Sequence, residues 1–138
     1  MTSAGRGYTP AVGTEDADRT LSSLDTARRI AALAQEKLAE DVVILDMRPV
    51  CTFTDFFVVA TGRNARQTDA IWDEVHGRLK AENGLLPRST EGATEATWII
   101  GDYIDVVLHV FTPEAREYYR LEELWDDVPH ESLEAATG

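Results

Sequence analysis

The sequence predicts a single α/β domain in which a mixed sheet of about five strands carries packed helices. Short runs of β-branched and aromatic residues, each bounded by turn residues, recur along the chain and read as strands. Amphipathic segments with apolar residues at helical spacing stand between and after them. Their order is helix, strand, strand, helix, short strand, strand, strand, helix, without an internal repeat. That order belongs to a layered α/β or α+β domain with at least one antiparallel hairpin. A length of 138 residues suits one domain whose core removes roughly two thirds of the unfolded chain's surface from water.

Residues 1–22 mix Gly, Ser, Thr, Pro and charges with almost no large apolar side chain, so they are read as a flexible arm. The domain is placed at residues 23–126. From Ser23, Leu24, Ala27, Ile30, Ala31, Ala34 and Leu38 fall at helical spacing, with Arg28, Arg29, Glu36 and Lys37 on the other side. Asp41 ends that helix, and Val42-Val43-Ile44-Leu45 is an apolar run suited to a strand covered on both faces, stopped by Arg48-Pro49. A second strand is read over 52–61, with Asp55 as its odd residue.

Thr61-Gly62 then turns the chain into a helix at Asn64, where Asn64 and Gln67 have the spacing of a capping box. Ala70, Ile71, Val75 and Leu79 form its buried stripe, and Asn83-Gly84 closes it. Leu85-Leu86-Pro87 reads as a short edge strand because proline cannot donate to a ladder, and 88–95 as a polar loop. Two apolar runs around Gly101-Asp102-Tyr103-Ile104-Asp105 give a hairpin. Thr112 as N-cap, Pro113 at the first helical position and Glu114 beside the positive helix end start the last helix. Tyr118, Tyr119, Leu121, Leu124 and Trp125 are expected to return to the core. Residues 127–138 are small and acidic and are read as a mobile tail.

Composition narrows the function. Thirteen Lys+Arg against twenty-five Asp+Glu give a formal charge of −12, which disfavours an extended phosphate backbone and favours a basic protein partner. No apolar run approaches the roughly 18–20 residues that span a bilayer, and neither a secretory signal nor a transit peptide is expected, so the expected location is the cytoplasm. The single Cys51 allows no internal disulfide or multi-cysteine zinc site.

Catalytic chemistry finds little support. A Thr-Gly turn before a capped helix can hold a phosphate, and the alternative reading of the chain is a Mg-dependent nucleotidyltransferase or nucleotide-binding protein. A two-metal site, however, needs carboxylates converging from one face, and Asp102 and Asp105 stand three apart across a turn. Cys51 at the head of an apolar strand has no base near it in sequence, and His76, His109 and His130 lie on a helix, a strand and the tail. His109 shares a strand face with Val107 and Phe111 and is read as a hydrogen-bonded core histidine. For Trp98 and Tyr103 two readings stay open, core packing and an exposed anchor pair, and Asp102 and Asp105 read as turn carboxylates.

The runs Asp41–Asp46, Phe53–Gly62, Arg66-Gln67, Trp98–Tyr103, Asp105–Phe111 and Leu121–Trp125 together resemble the ribosomal silencing factor family, also called the RsfS or Iojap-like family. The resemblance covers Leu24 to Trp125 and leaves out the arm and tail. It implies a non-enzymatic protein without a cofactor or metal. Such a protein binds the large ribosomal subunit through protein uL14 (L14), blocks subunit joining sterically and represses translation when nutrients are short. It also implies a nucleotidyltransferase-like fold lacking the catalytic carboxylates, and a homodimer when free. The partner surface carries over to Trp98, Ile99, Asp102 and Tyr103 in the hairpin, with Asp105 beside them. Gly101 departs from the family's usual aliphatic residue, and Ile104 from its usual turn glycine. The same holds for Pro49, where glycine is common, and Cys51, where serine is.

Overall fold

The computed structural model describes residues 22–133; residues 1–21 of the expected arm and 134–138 of the expected tail lie outside them. Helix α1 runs Ser23–Glu36, started by the Ser22 side chain, which accepts the Asp25 N–H at 3.1 Å. It buries Ala27, Ile30, Ala31, Leu33 and Ala34, whereas Leu38 lies past its end with a left-handed backbone and an exposed side chain. Strand β1 (Glu40–Asp46) contains the apolar run, with an irregularity between Glu40 and Val43 where Asp41 takes φ +49°. Strand β2 is shorter than expected, Phe56–Thr61. Asp55 ahead of it donates its N–H to the Asp105 carbonyl at 2.9 Å, which ties two loops at one end of the sheet.

Helix α2 (Ala65–Asn83) opens on Asn64, whose side chain accepts the Gln67 N–H at 3.0 Å. The return half of the box differs. Gln67 Oε1 takes the N–H of Arg63 at 2.7 Å, and its amide donates to the Lys37 carbonyl at 2.9 Å, so this cap also fastens α1's end. Gly84, at φ +62°, closes the helix. Strand β3 is Ser89–Glu91, within the expected polar loop and not at Leu85–Pro87. The ladder it makes with Ile100–Asp102 of β4 begins only past Pro87, the residue without a donor.

Strands β4 (Trp98–Asp102) and β5 (Val106–Phe111) form the expected hairpin. Helix α3 (Pro113–Tyr119) starts on Thr112, and a single turn, α4 (Leu121–Leu124), follows Arg120 at φ +50°. The chain then adds a strand from the segment expected to be tail: β6 (His130–Ser132) pairs with Val43–Leu45 of β1. The acidic segment is thus partly structural, held by the Asp46 N–H to the Pro129 carbonyl, by Leu133 to Val42 and by Arg28–Glu131 at 2.9 Å. Three residues without strand alternation gave no sequence signal for it.

The mixed sheet has six strands in the order β3-β4-β5-β2-β1-β6, with β2 and β5 parallel and every other pair antiparallel. Both long helices lie on one face. There Ile30, Leu33, Ile71, Val75 and Leu79 meet Val42, Ile44, Val58, Ile99, Leu108 and Val110 in a continuous core. The opposite face carries Leu45, Met47, Phe57, Val59, Val107 and Phe111, covered by Leu121, Trp125 and Val128 from the α3–α4 segment and the stretch after it. Unequal cover of the two faces positions the candidate site.

Candidate functional site

Strand alternation divides the hairpin's candidate residues between the two faces. Ile99, Gly101 and Tyr103 are buried, Ile99 and Tyr103 within the core beneath the helices, while Trp98 and Ile100 pack at the edge of the opposite cluster. Tyr103 is only 5% exposed, its ring 6.2 Å from that of Trp72. Its hydroxyl has no partner among the described residues, and burial pushes the phenol's pKa up. Ile99 and Tyr103 are therefore core residues here, and Trp98 and Tyr103 do not form an anchor pair. A five-residue separation across a strand's end places two side chains on opposite sides, which the period of two already contains.

Trp98 is partly exposed and surrounded by rings. It stacks on Phe111 with centroids 5.0 Å apart and planes at 25°, and Tyr119 lies 4.5 Å away. Its Nε1–H donates to Nδ1 of His109 at 3.1 Å. His109 is buried, with its ring edge-on to Phe57 at 4.7 Å, and burial pushes its pKa down to about 4. It is a hydrogen-bonded core histidine, as the strand pattern suggested. His76 lies beside Trp72 under the other face, and His130 is on β6. Among the described residues no group of three or more His, Cys, Asp or Glu could hold a metal ion.

Sequence pattern assigned Tyr118, Tyr119 and Leu124 to the core, and this is corrected. They are 80%, 49% and 69% exposed. The helix lasts seven residues and breaks at Arg120, so the apolar spacing runs through a change of direction and only Leu121 of that set becomes buried, with Trp125 packed beside it. Tyr118 stands edge-on to Tyr119 at 5.0 Å. An aromatic strip thus runs from buried Phe111 through Trp98 and Tyr119 to Tyr118. Beyond Trp98 on the same side lies Ile100, partly buried.

The carboxylates differ in state. Asp102 is paired with Arg88 at 2.6 Å and accepts the N–H of Ile104 at 2.8 Å. Asp105 is exposed as a residue and has no ion pair among the described residues; partial burial of its carboxyl and, after it, the charge of Asp55 raise its pKa. Glu114, Glu117 and Glu123 sit on the surface of α3 and α4. Beside them an open groove of about 470 Å3 is lined by Glu40, Asp41, Thr61, Arg116, Glu117 and Glu122 among others. Its inward guanidinium is already engaged: Arg116 binds Glu122 at 2.5 Å, the Asp41 carbonyl at 2.6 Å and Thr61 Oγ1 at 2.7 Å. Gly62, the glycine that suggested a phosphate loop, has a packing reason, since a Cβ there would lie 2.8 Å from the Thr68 nitrogen. The arrangement offers an aromatic surface edged by carboxylates, the makings of a protein-binding site.

The chain is thus a single mixed α/β domain with one helix-covered face and one aromatic, partly open face, and comparison with known proteins specifies its family. Residues 20–137 match the family model described as "Ribosomal silencing factor during starvation". The chain is 39% identical over 104 residues to ribosomal silencing factor RsfS of Bacillus subtilis, covering 75% of this chain and 87% of that protein. It is 32% identical to the mouse protein named "Mitochondrial assembly of ribosomal large subunit protein 1", across 79% of this chain and 48% of that one. A crystal structure from Chromobacterium violaceum matches with a TM-score of 0.74 at 28% identity, covering 86% of this chain and 95% of that one. The chain belongs to the ribosomal silencing factor family.

Proposed function

We propose that this protein is a non-enzymatic, cytoplasmic silencing factor that docks on protein uL14 of the large ribosomal subunit and blocks subunit joining by overlap. The observation that carries this reading is the open aromatic strip, Trp98, Tyr119 and Tyr118, on the thinly covered sheet face. Large rings half in and half out of a surface are the usual anchors of protein interfaces. Exclusion needs no reaction: occupancy of the joining surface is enough, and its extent follows affinity and concentration. The name of the mouse relative ties that protein to the large subunit, which supports the choice of subunit.

The docking set is revised accordingly. Trp98 is its centre, Tyr119 and then Tyr118 extend from it, exposed Leu124 adds an apolar side chain from α4, and Asp102 and Asp105 contribute charge from the hairpin's end. Ile99 and Tyr103 support the strand from beneath. A chain with charge −12 is repelled by rRNA and drawn to a basic ribosomal protein. The free protein covers the same strip by pairing with a second copy, so binding to the ribosome competes with dimerisation.

Sedimentation of the protein with purified ribosomal subunits tests the proposal. The expected result is co-migration with the large subunit and a lower yield of joined ribosomes. Protein left at the top of the gradient, with joining unchanged, overturns it. Trp98→Ala should weaken binding by about tenfold or more while keeping a cooperative melt. Tyr103→Glu should instead unfold the protein by burying a charge.

A further inference from the structure

His109 is a polar side chain set among aromatic rings, where a phenylalanine or leucine would fill the space without desolvating two ring nitrogens. One of those nitrogens has a task. An indole N–H can only donate, so the 3.1 Å contact from Trp98 Nε1 makes His109 Nδ1 an acceptor and puts the ring proton on Nε2. The other nitrogen has none, because Nε2 is buried without a partner among the described residues. The histidine therefore carries a desolvation cost that only its bond to Trp98 offsets.

That bond decides what Trp98 presents. The indole has a single polar atom, and with it turned inward the exposed remainder of the ring is carbon. Phe111 stacks on the indole and Tyr119 lies against it on an adjoining side, the two rings 6.5 Å from each other, so one indole face is left for a partner. We infer that His109 is the positioning residue of the docking tryptophan, fixing the indole so that it offers a partner a ring face for a stacked arginine or an aliphatic side chain. A hydrogen-bond acceptor on the partner finds no donor there. This rests on the docking role of Trp98 and narrows it: uL14, or whichever basic protein is bound, must bring a cationic or apolar group to this ring.

The test uses the full chain, labelled with 15N, with the Trp98 indole resonance assigned by its absence in Trp98→Phe. His109→Asn keeps an acceptor, since Asn Oδ1 falls where Nδ1 stood; His109→Leu removes it. Solvent exchange of the indole N–H should be slow in the wild type and in His109→Asn, and fast in His109→Leu. Binding to purified large subunits should fall about tenfold in His109→Leu and less than about threefold in His109→Asn, both with cooperative melts. If His109→Leu does not fold, His109→Phe keeps the ring shape without the acceptor and takes its place.

The inference is overturned if the acceptor-free variant binds like wild type. It is equally overturned if His109→Asn keeps the protected indole yet binds as weakly as the acceptor-free variant. Failure of the wild type itself to bind is a separate result, visible before any variant is made, which overturns the docking reading and the role of His109 with it.

Discussion

At the scale of single residues, the hairpin tip shows how a local sequence choice is accommodated. Ile104 holds φ +75°, a region that a β-branched side chain occupies at a cost of about 1–2 kcal/mol. Asp102 restrains it there by accepting the Ile104 N–H. Ile104→Gly, which removes the side chain that opposes this backbone conformation, should therefore raise stability by about 1 kcal/mol, read as a higher urea midpoint at unchanged slope. Gly101 has the opposite logic. A Cβ there would lie 2.3 Å from the Trp72 ring, so Trp72 occupies the space a larger residue would need. Gly101→Val should cost about 1–3 kcal/mol through overpacking, and Trp72→Leu in the same chain should recover part of it.

His109 gives a residue-scale prediction about pH. Its folded pKa of about 4 lies below the unfolded value of 6.5, so the unfolded chain takes up the proton first. The neutral ring's contribution is fully present above pH 6.5 and is lost as pH falls towards 4, for a total of about 3 kcal/mol. Chemical denaturation at steps between pH 7.5 and 4 should show this decline, and His109→Asn should flatten it; an equally steep profile in the variant would refute the assignment.

Among the elements, what was legible followed from periodicity and caps. Asn64 with Gln67, Thr112 with Pro113, and Gly84 mark helix ends through local chemistry, and the structure places the helix ends there. The run Val42–Leu45 announces a strand covered on both faces because every residue is apolar, and Val106–Phe111 announces the second strand of the hairpin. The elements that were missed depend on partners far away in sequence. Strand β6 is three residues whose order comes from β1 and Arg28, and Tyr119 is turned outward by a break at Arg120 that no glycine signals. The candidate site shares this division. Trp98 was legible as a large ring near a turn, but its separation from Tyr103 by the sheet, and its company with Tyr118 and Tyr119, required the fold.

The segment from Pro113 to Val128 is the element most dependent on one side chain. Arg116 is largely buried and joins α3 to Glu122, to β1 through Asp41 and to β2 through Thr61. Arg116→Met should cost about 2–4 kcal/mol, since it leaves the half-buried Glu122 carboxylate, the Asp41 carbonyl and Thr61 Oγ1 without their donor. Hydrogen exchange should quicken in residues 113–128 well before it does in β2 or β5. Uniform quickening across the chain would show that this cover is part of the main cooperative unit.

For the whole molecule, charge and shape act on association in different ways. The aromatic strip supplies contact area whose burial is insensitive to ionic strength, whereas a net charge of −12 acts at distances that salt shortens. Steering of an acidic factor to a basic protein surrounded by rRNA is a balance of attraction and repulsion, since the phosphates repel what the protein attracts. If the attraction dominates at the docking site, raising salt from 50 to 300 mM should slow association by roughly tenfold and leave dissociation nearly unchanged. Stopped-flow or surface-based kinetics with purified large subunits separates the two rates. Association that speeds up with salt would mean that rRNA repulsion governs the encounter, and that affinity comes from the rings around Trp98 alone. Reversing Glu114 and Glu117 to lysine supplies the converse case: faster association with both subunits, and so a loss of discrimination between them, because the phosphate backbone then attracts the factor wherever it is exposed.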